Sequence, residues 1–204
     1  MVRFRPGGQL LQHDIPDRSG RATISPVRHP RRRRVILAVV VVLIVAFGAA
    51  TARLFVWPRC GIPAHVDAVV MLDGPGDRLT SSFEIAAARR ATYLVISQGS
   101  VAAGNNPHCP YGFPHVRVIC FHPDPPTTRG EAEYTAGLAA RYHWHSVALV
   151  AITPQLTPAL LRLDRCYAGR TYGVKAPLPL VSWPYEVAYE WGALINAELF
   201  QRGC

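Results

Sequence analysis

Residues 35–57 read VILAVVVVLIVAFGAATARLFVW, and this run restricts the chain more than any other stretch of it. Before Thr51 it offers no polar face. Its sole charge is Arg53 near one end, where a long side chain can snorkel to an interface. As a helix the run rises about 35 Å, enough for the roughly 30 Å of bilayer hydrocarbon. A helix in water needs a polar face, so a transmembrane helix over residues 35–57 is expected rather than a buried core helix. Trp57 suits the interface, and Pro58 ends the helix.

Flanking charge orients such a segment. Arg31, Arg32, Arg33 and Arg34 abut it on one side, against Arg53 and Arg59 on the other. Positive-inside bias puts residues 1–34 in the cytoplasm and residues 58–204 outside it, a single-pass protein of the cell membrane with the bilayer as its first partner. A cleaved signal peptide competes with this reading. Ala50-Thr51-Ala52 fits a small-residue cleavage pattern, and residues 35–48 would be the apolar region. The long charged leader and the continuation of the run to Trp57 favour the uncleaved anchor. Both readings export the domain.

The formal charge of +9 belongs to the tail. Residues 1–34 hold Arg3, Arg5, Arg18, Arg21, Arg28 and Arg31–Arg34 against Asp14 and Asp17, a net of +7, which leaves +2 for residues 35–204. A nucleic-acid-binding domain carries its basicity on the fold, so no nucleic-acid partner is expected. The tail instead suits anionic lipid headgroups as an accessory contact. Half the chain is apolar and 17% is charged, which excludes wholesale disorder.

All five cysteines follow the apolar run. In an exported domain they can pair. The sequence leaves the pairing open; Cys109–Cys120, closing a loop rich in Pro and Gly, is the preferred bridge and Cys166–Cys204 the second. Two metal readings compete. His108, Cys109, Cys120 and His122 lie close together but match no zinc spacing, and His143-Trp144-His145 would put two imidazoles on one face of a strand. A solvated loop is the plainer reading of the latter, so no metal and no cofactor is called for.

Beyond the linker Arg59–His65, apolar runs alternate with helical patterns. Strands are expected at Val66–Leu72, Thr92–Ser97, Val116–Phe121, Ser146–Thr153 and Thr171–Lys175. Helices are expected at Thr80–Arg90, Thr128–Tyr142, Pro158–Tyr167 and Glu186–Gln201, with a loop over residues 98–115. Thr128 reads as a helix cap, with Glu131 at the capping-box position. Val-rich strands alternating with helices predict an α/β fold, a Rossmann-like three-layer sandwich on a mostly parallel sheet. Such sheets bind ligands beyond the C-terminal ends of their strands.

Four turns lie there. Asp73-Gly74-Pro75-Gly76-Asp77-Arg78-Leu79 lets backbone approach a ligand, and the helix after it offers N–H donors to an anion; Arg78 could clamp that anion or pair with Asp77. A tight structural turn explains the two glycines about as well. Ser97-Gln98-Gly99-Ser100 suits an oxyanion or an ordinary turn. Thr127 and Thr128 in the third turn offer hydroxyls or plain capping. The fourth is Thr153-Pro154-Gln155-Leu156-Thr157-Pro158.

Taken together, VDAVVMLDGPGDRL, LVISQGS, PDPPTTRGEAEYTAGLA, SVALVAITPQLTPALLRLDRC and YEVAYEWGALI resemble the SanA/YdcF-like envelope proteins over roughly residues 66–200, in the anchored form of the actinobacterial branch. The resemblance implies a Rossmann-like domain with a ligand cleft at these strand ends and a role in cell-envelope maintenance. Members are linked to peptidoglycan or lipid-carrier metabolism, and one soluble member is described as binding S-adenosylmethionine. The family's glycine turn maps to Gly74 and Gly76, and its Thr–x–x–Glu helix start to Thr128 and Glu131. The family's His and Arg after the fourth strand fall on Thr157 and Leu160, which supply neither an imidazole nor an anion clamp. The segment between Ser97 and Val116 is also too short for the extra helix many members have.

Two functions follow as expectations. One is an envelope enzyme or binder acting on an anionic, phosphorylated or lipid-linked small molecule. Asp73 and Glu131 would supply acid/base chemistry, and Gly74, Gly76, Arg78, Ser97, Gly99, Thr127, Thr128, Thr153, Gln155 and Thr157 the binding groups. The other is a catalytically degenerate, non-enzymatic envelope-binding module. No Ser-His-Asp set or paired-metal carboxylate cluster names a reaction.

Overall fold

The computed structural model describes residues 30–99, 109 and 112–204. The arginines before Pro30, Ser100 of the second turn, His108 of the zinc reading and most of the loop after Gly99 lie outside the described residues. The chain divides into two compact units, Met1–Val41 and Val42–Cys204. The described part of the first is helical, apolar from Val35 onward and exposed.

Helix α1 covers Pro30–Thr51 and passes into a π-helical turn at Ala52–Val56. Arg31–Val56 is long and apolar enough to cross a membrane, with a mean hydropathy of 2.9. The exposed stretch ends earlier than the sequence suggested. Residues 31–49 are all exposed, whereas Phe55 is wholly buried and Trp57 lies outside the helix. The physical reason lies in the domain. Thr157 Oγ1 donates to the Leu54 carbonyl, and the Phe55 ring meets Trp191 edge-on at 5.1 Å. The last turn of the run is thus part of the domain's packing.

The domain is α/β, with five parallel strands in the order β3-β2-β1-β4-β5. They are β1 (Val66–Met71), β2 (Ala91–Ser97), β3 (Arg117–Phe121), β4 (Ser146–Ile152) and β5 (Arg170–Ala176). Helices α2 (Arg78–Ala87), α3 (Thr128–Tyr142), α4 (Leu156–Cys166) and α5 (Trp183–Leu199) complete it. Because both faces are covered, successive strand residues enter two different cores. Ala68, Val70, Val147 and Leu149 pack toward α3 and α4 with Phe121, Trp144 and Leu163. Val69, Leu94, Ile96, Ala148 and Val150 pack toward α2 with Ile85 and Ala86. Asp67 fixes the register of β1 on β4 by accepting from His145 N, Ser146 N and Ser146 Oγ, each at 2.8 Å.

Strand order reverses between β1 and β4, both neighbours of which lie farther out. A parallel sheet leaves a crevice at that point, beyond the strands' C-terminal ends. Cys109 pairs with Cys120 and Cys166 with Cys204, leaving Cys60 free and exposed. The first bridge consumes both thiols of the zinc reading. His143 is a left-handed helix cap, Trp144 is buried, and neither belongs to a strand.

Candidate functional site

The turn after β1 is built around Arg78. Its Nε donates to the Pro75 carbonyl at 2.8 Å, and its Nη1 to the carbonyls of Leu72 and Asp73. The side chain is 3% exposed, and Nη2 has no hydrogen-bond partner among the described residues. Arg78 therefore does not pair with Asp77, which instead caps α2 by accepting from Thr80 N. Gly74, at φ 126°, leaves room for the guanidinium, since a Cβ there would lie 2.8 Å from Nη2. Gly76, at φ 90°, is crowded by the protein itself. A Cβ would meet Ile152 Cγ2 at 2.6 Å and the Pro177 carbonyl at 2.7 Å.

Helix α3 starts at Thr128, as the sequence predicts, but its cap lies one residue before the expected one. Thr127 is the cap, and its hydroxyl accepts from Gly130 N at 3.3 Å. Thr128 is already helical, and its Oγ1 accepts from Gln155 Nε2 at 3.4 Å. Glu131 does not close a capping box. It turns across the crevice and accepts from Asp73 N at 2.7 Å, which ties α3 to the first turn. The Glu131 side chain is buried, and that burial pushes its pKa up to about 7 despite the Asp73 amide and the Arg78 charge. Ser97, 1% exposed, faces the same carboxyl and opposes the shift, although its hydroxyl closes no hydrogen bond of good geometry.

These groups open on a cleft of about 950 Å³. Asp73, Gly74, Arg78, Gly99, Thr127, Thr128, Glu131 and Gln155, all expected from the sequence, line it together. Gly76, Ser97, Thr153 and Thr157 do not reach its wall. Thr157 points to Leu54, and Leu160 is part of the core. The Gln155 side chain is 7% exposed, and its Oε1 has no partner among the described residues.

The opposite wall went unnoticed in the sequence. It comes from α5, whose Glu186 and Glu190 are 8% and 3% exposed, and from Arg162 of α4. Burial, reinforced by Glu186, pushes the pKa of Glu190 up to about 7. Arg162 Nη1 donates to Gln201 Oε1 at 3.0 Å. A signal was present. Glu186, Glu190 and Ala197 fall on one helical face, so two acids occupy the stripe that should be apolar. The charges face one another: burial pulls the pKa of Arg78 down, while Glu131, Asp73, Glu190 and Glu186 hold it up.

The arrangement can hold an anion at Arg78 Nη2 and the start of α3, and it can exchange protons at two carboxyls that titrate near neutrality. Comparison with family models, with curated proteins and with solved structures returned no match.

Proposed function

We propose that residues 58–204 are an extracytoplasmic ligand-binding domain held at the cell membrane by the apolar helix that starts at residue 35 and whose last turn packs on the domain, with the N-terminus in the cytoplasm. The ligand is an anionic or phosphorylated small molecule, free or as a lipid-linked envelope precursor, and the role is cell-envelope maintenance, as the resemblance to the SanA/YdcF-like proteins implies. One apolar helix able to cross a membrane and two disulfides suited to an oxidising compartment support the placement. The observation that carries the ligand class is Arg78 Nη2, a buried cationic donor without a partner among the described residues, beside the first turn of α3.

Thermal-shift titration of the full chain in detergent with inorganic phosphate, pyrophosphate and sulfate tests this. Millimolar anion raises the unfolding temperature, and neutral sugars do not. Sulfate keeps its charge between pH 6 and pH 8, so its binding strengthens toward pH 6 as Glu131 and Glu190 take up protons. No shift with any of these anions would refute the assignment.

A second reading, the non-enzymatic module, is favoured by Thr157 and Leu160. The positions where the family carries His and Arg face the rest of the protein, not the cleft. Glu131→Gln separates the two: if the protein catalyses, this change abolishes complementation of a deletion strain while anion binding persists. Full complementation supports the module.

A further inference from the structure

We propose that the outward face of α5, together with the turn Leu180–Ser182 before it, is an interfacial membrane-docking surface that lies in the headgroup layer of the leaflet from which α1 emerges. The inference rests on the anchored reading above and adds a second, in-plane contact to it.

Three observations support it. The first is continuity with the anchor. Trp191 of α5 stacks on Phe47 at 5.3 Å, meets Phe55 at 5.1 Å and donates from Nε1 to Thr51 Oγ1 at 3.2 Å. Phe47 lies four residues before Thr51, inside the stretch in which every side chain is exposed. From Val35, the first residue past the four arginines, to Thr51 the helix rises roughly 24 Å, short of the roughly 30 Å of hydrocarbon. The anchor therefore meets α5 before it has cleared the bilayer. No spacer remains to lift α5 off the bilayer.

The second observation is the composition of the exposed face. Tyr185, Ala188, Tyr189, Gly192, Ile195 and Leu199 carry no charge, and all are exposed. The lead-in adds Leu180 at 83% and Val181 at 87% exposure, and Phe200 follows at 78%. Isolated apolar residues on a surface need no explanation, but a contiguous uncharged helix face does. The acid at its flank, Glu198, is paired with Arg165 at 2.9 Å.

The third is residue type. Two exposed tyrosines, with Trp57 at 66% exposure, are amphipathic rings of the kind that settle at a membrane–water boundary. The opposite face of the same helix carries Glu186 and Glu190 into the cleft. Tyr185, Ala188, Tyr189 and Gly192 of the exposed face line that cleft as well, while Ile195 and Leu199 lie beyond it, so the docking surface places one rim of the site at the bilayer.

Site-directed fluorescence on the full chain tests the proposal. Cysteines are introduced singly at Ile195→Cys and Leu199→Cys in a Cys60→Ser background, with Glu84→Cys on exposed α2 and Ile44→Cys in α1 as references. Each variant is labelled with a polarity-sensitive dye and placed in nanodiscs of phosphatidylcholine and phosphatidylglycerol. Shallow nitroxide lipids are expected to quench the dyes at 195 and 199 by about twofold or more and to leave the dye at 84 unchanged. Aqueous iodide does the reverse. Equal behaviour at 195, 199 and 84 overturns the proposal. So does protection from both quenchers accompanied by a dimer in the mass distribution, because a second copy then covers the face. If a deep nitroxide fails to quench the dye at 44, the anchor itself has failed and the docking surface falls with it. Quenching at 44 without quenching at 195 and 199 refutes the docking surface alone.

Discussion

Glu190 and Glu131 are carboxyls held near pKa 7 by burial, above the ordinary value of 4.5. Folding therefore favours their protonated forms. Their contribution to stability is fully present below pH 4.5 and is lost as pH rises through about 7. The apparent unfolding temperature of the full chain should fall between pH 5 and pH 8. Glu190→Gln should leave it nearly unchanged at pH 5 and raise it at pH 8 by about 4–8 °C, equivalent to about 2 kcal/mol. A flat pH profile for the parent chain would count against both shifts. Gly76→Ala tests the first turn independently. It forces a Cβ against Ile152 and Pro177 in a left-handed backbone, so it should cost about 2–4 kcal/mol in a denaturation series. In the sequence, the first wall of the cleft was legible because glycines, threonines and Arg78 follow apolar strands. The second wall was not, because Glu186 and Glu190 show their burial only once α5 is folded over the strand ends.

At the scale of elements, β1 and β4 were readable because a strand covered on both faces must be apolar at successive positions, as VDAVVM and SVALVAI are. Helix α3 starts where the sequence predicts it, at Thr128, but its cap is Thr127 and its Glu131 is used elsewhere, for a tertiary reason. Two threonines stand side by side, and the glutamate that should have closed a capping box is recruited by Asp73 N, 58 residues away in sequence. Where the apolar run passes from lipid to protein is not legible in the sequence, since an apolar residue such as Phe55 suits either equally well. Its burial gives a prediction at this scale. Phe55→Ala empties a fully buried position and should destabilise the detergent-solubilised chain by about 3–4 kcal/mol. Leu43→Ala, on the exposed part of α1, should cost less than 1 kcal/mol by the same measurement, roughly the scale of a surface change. Equal losses would mean that Ala52–Val56 belongs to the membrane span and not to the domain.

For the whole molecule, the decisive variable is the side of the membrane on which residues 58–204 fold. Sheet order was invisible in the sequence, because parallel strands of similar apolar content are interchangeable until crossovers are built. The cysteines bear on compartment, since all of them follow the apolar run. Disulfide formation ties four of them together and leaves Cys60 as an exposed thiol just beyond the apolar run. That thiol is a native reporter of orientation. In intact cells whose outer layers admit small reagents, a membrane-impermeant maleimide should modify Cys60 once per chain, and Cys60→Ser should abolish the labelling. Reduction before labelling should expose additional thiols, because Cys166–Cys204 and Cys109–Cys120 form only where thiols are oxidised. Labelling that requires lysed cells, with unchanged stoichiometry after reduction, would place the domain in the cytoplasm. The positive-inside argument from Arg31–Arg34 and the redox argument from the cysteines would then fail together, since both assign the same side to residues 58–204.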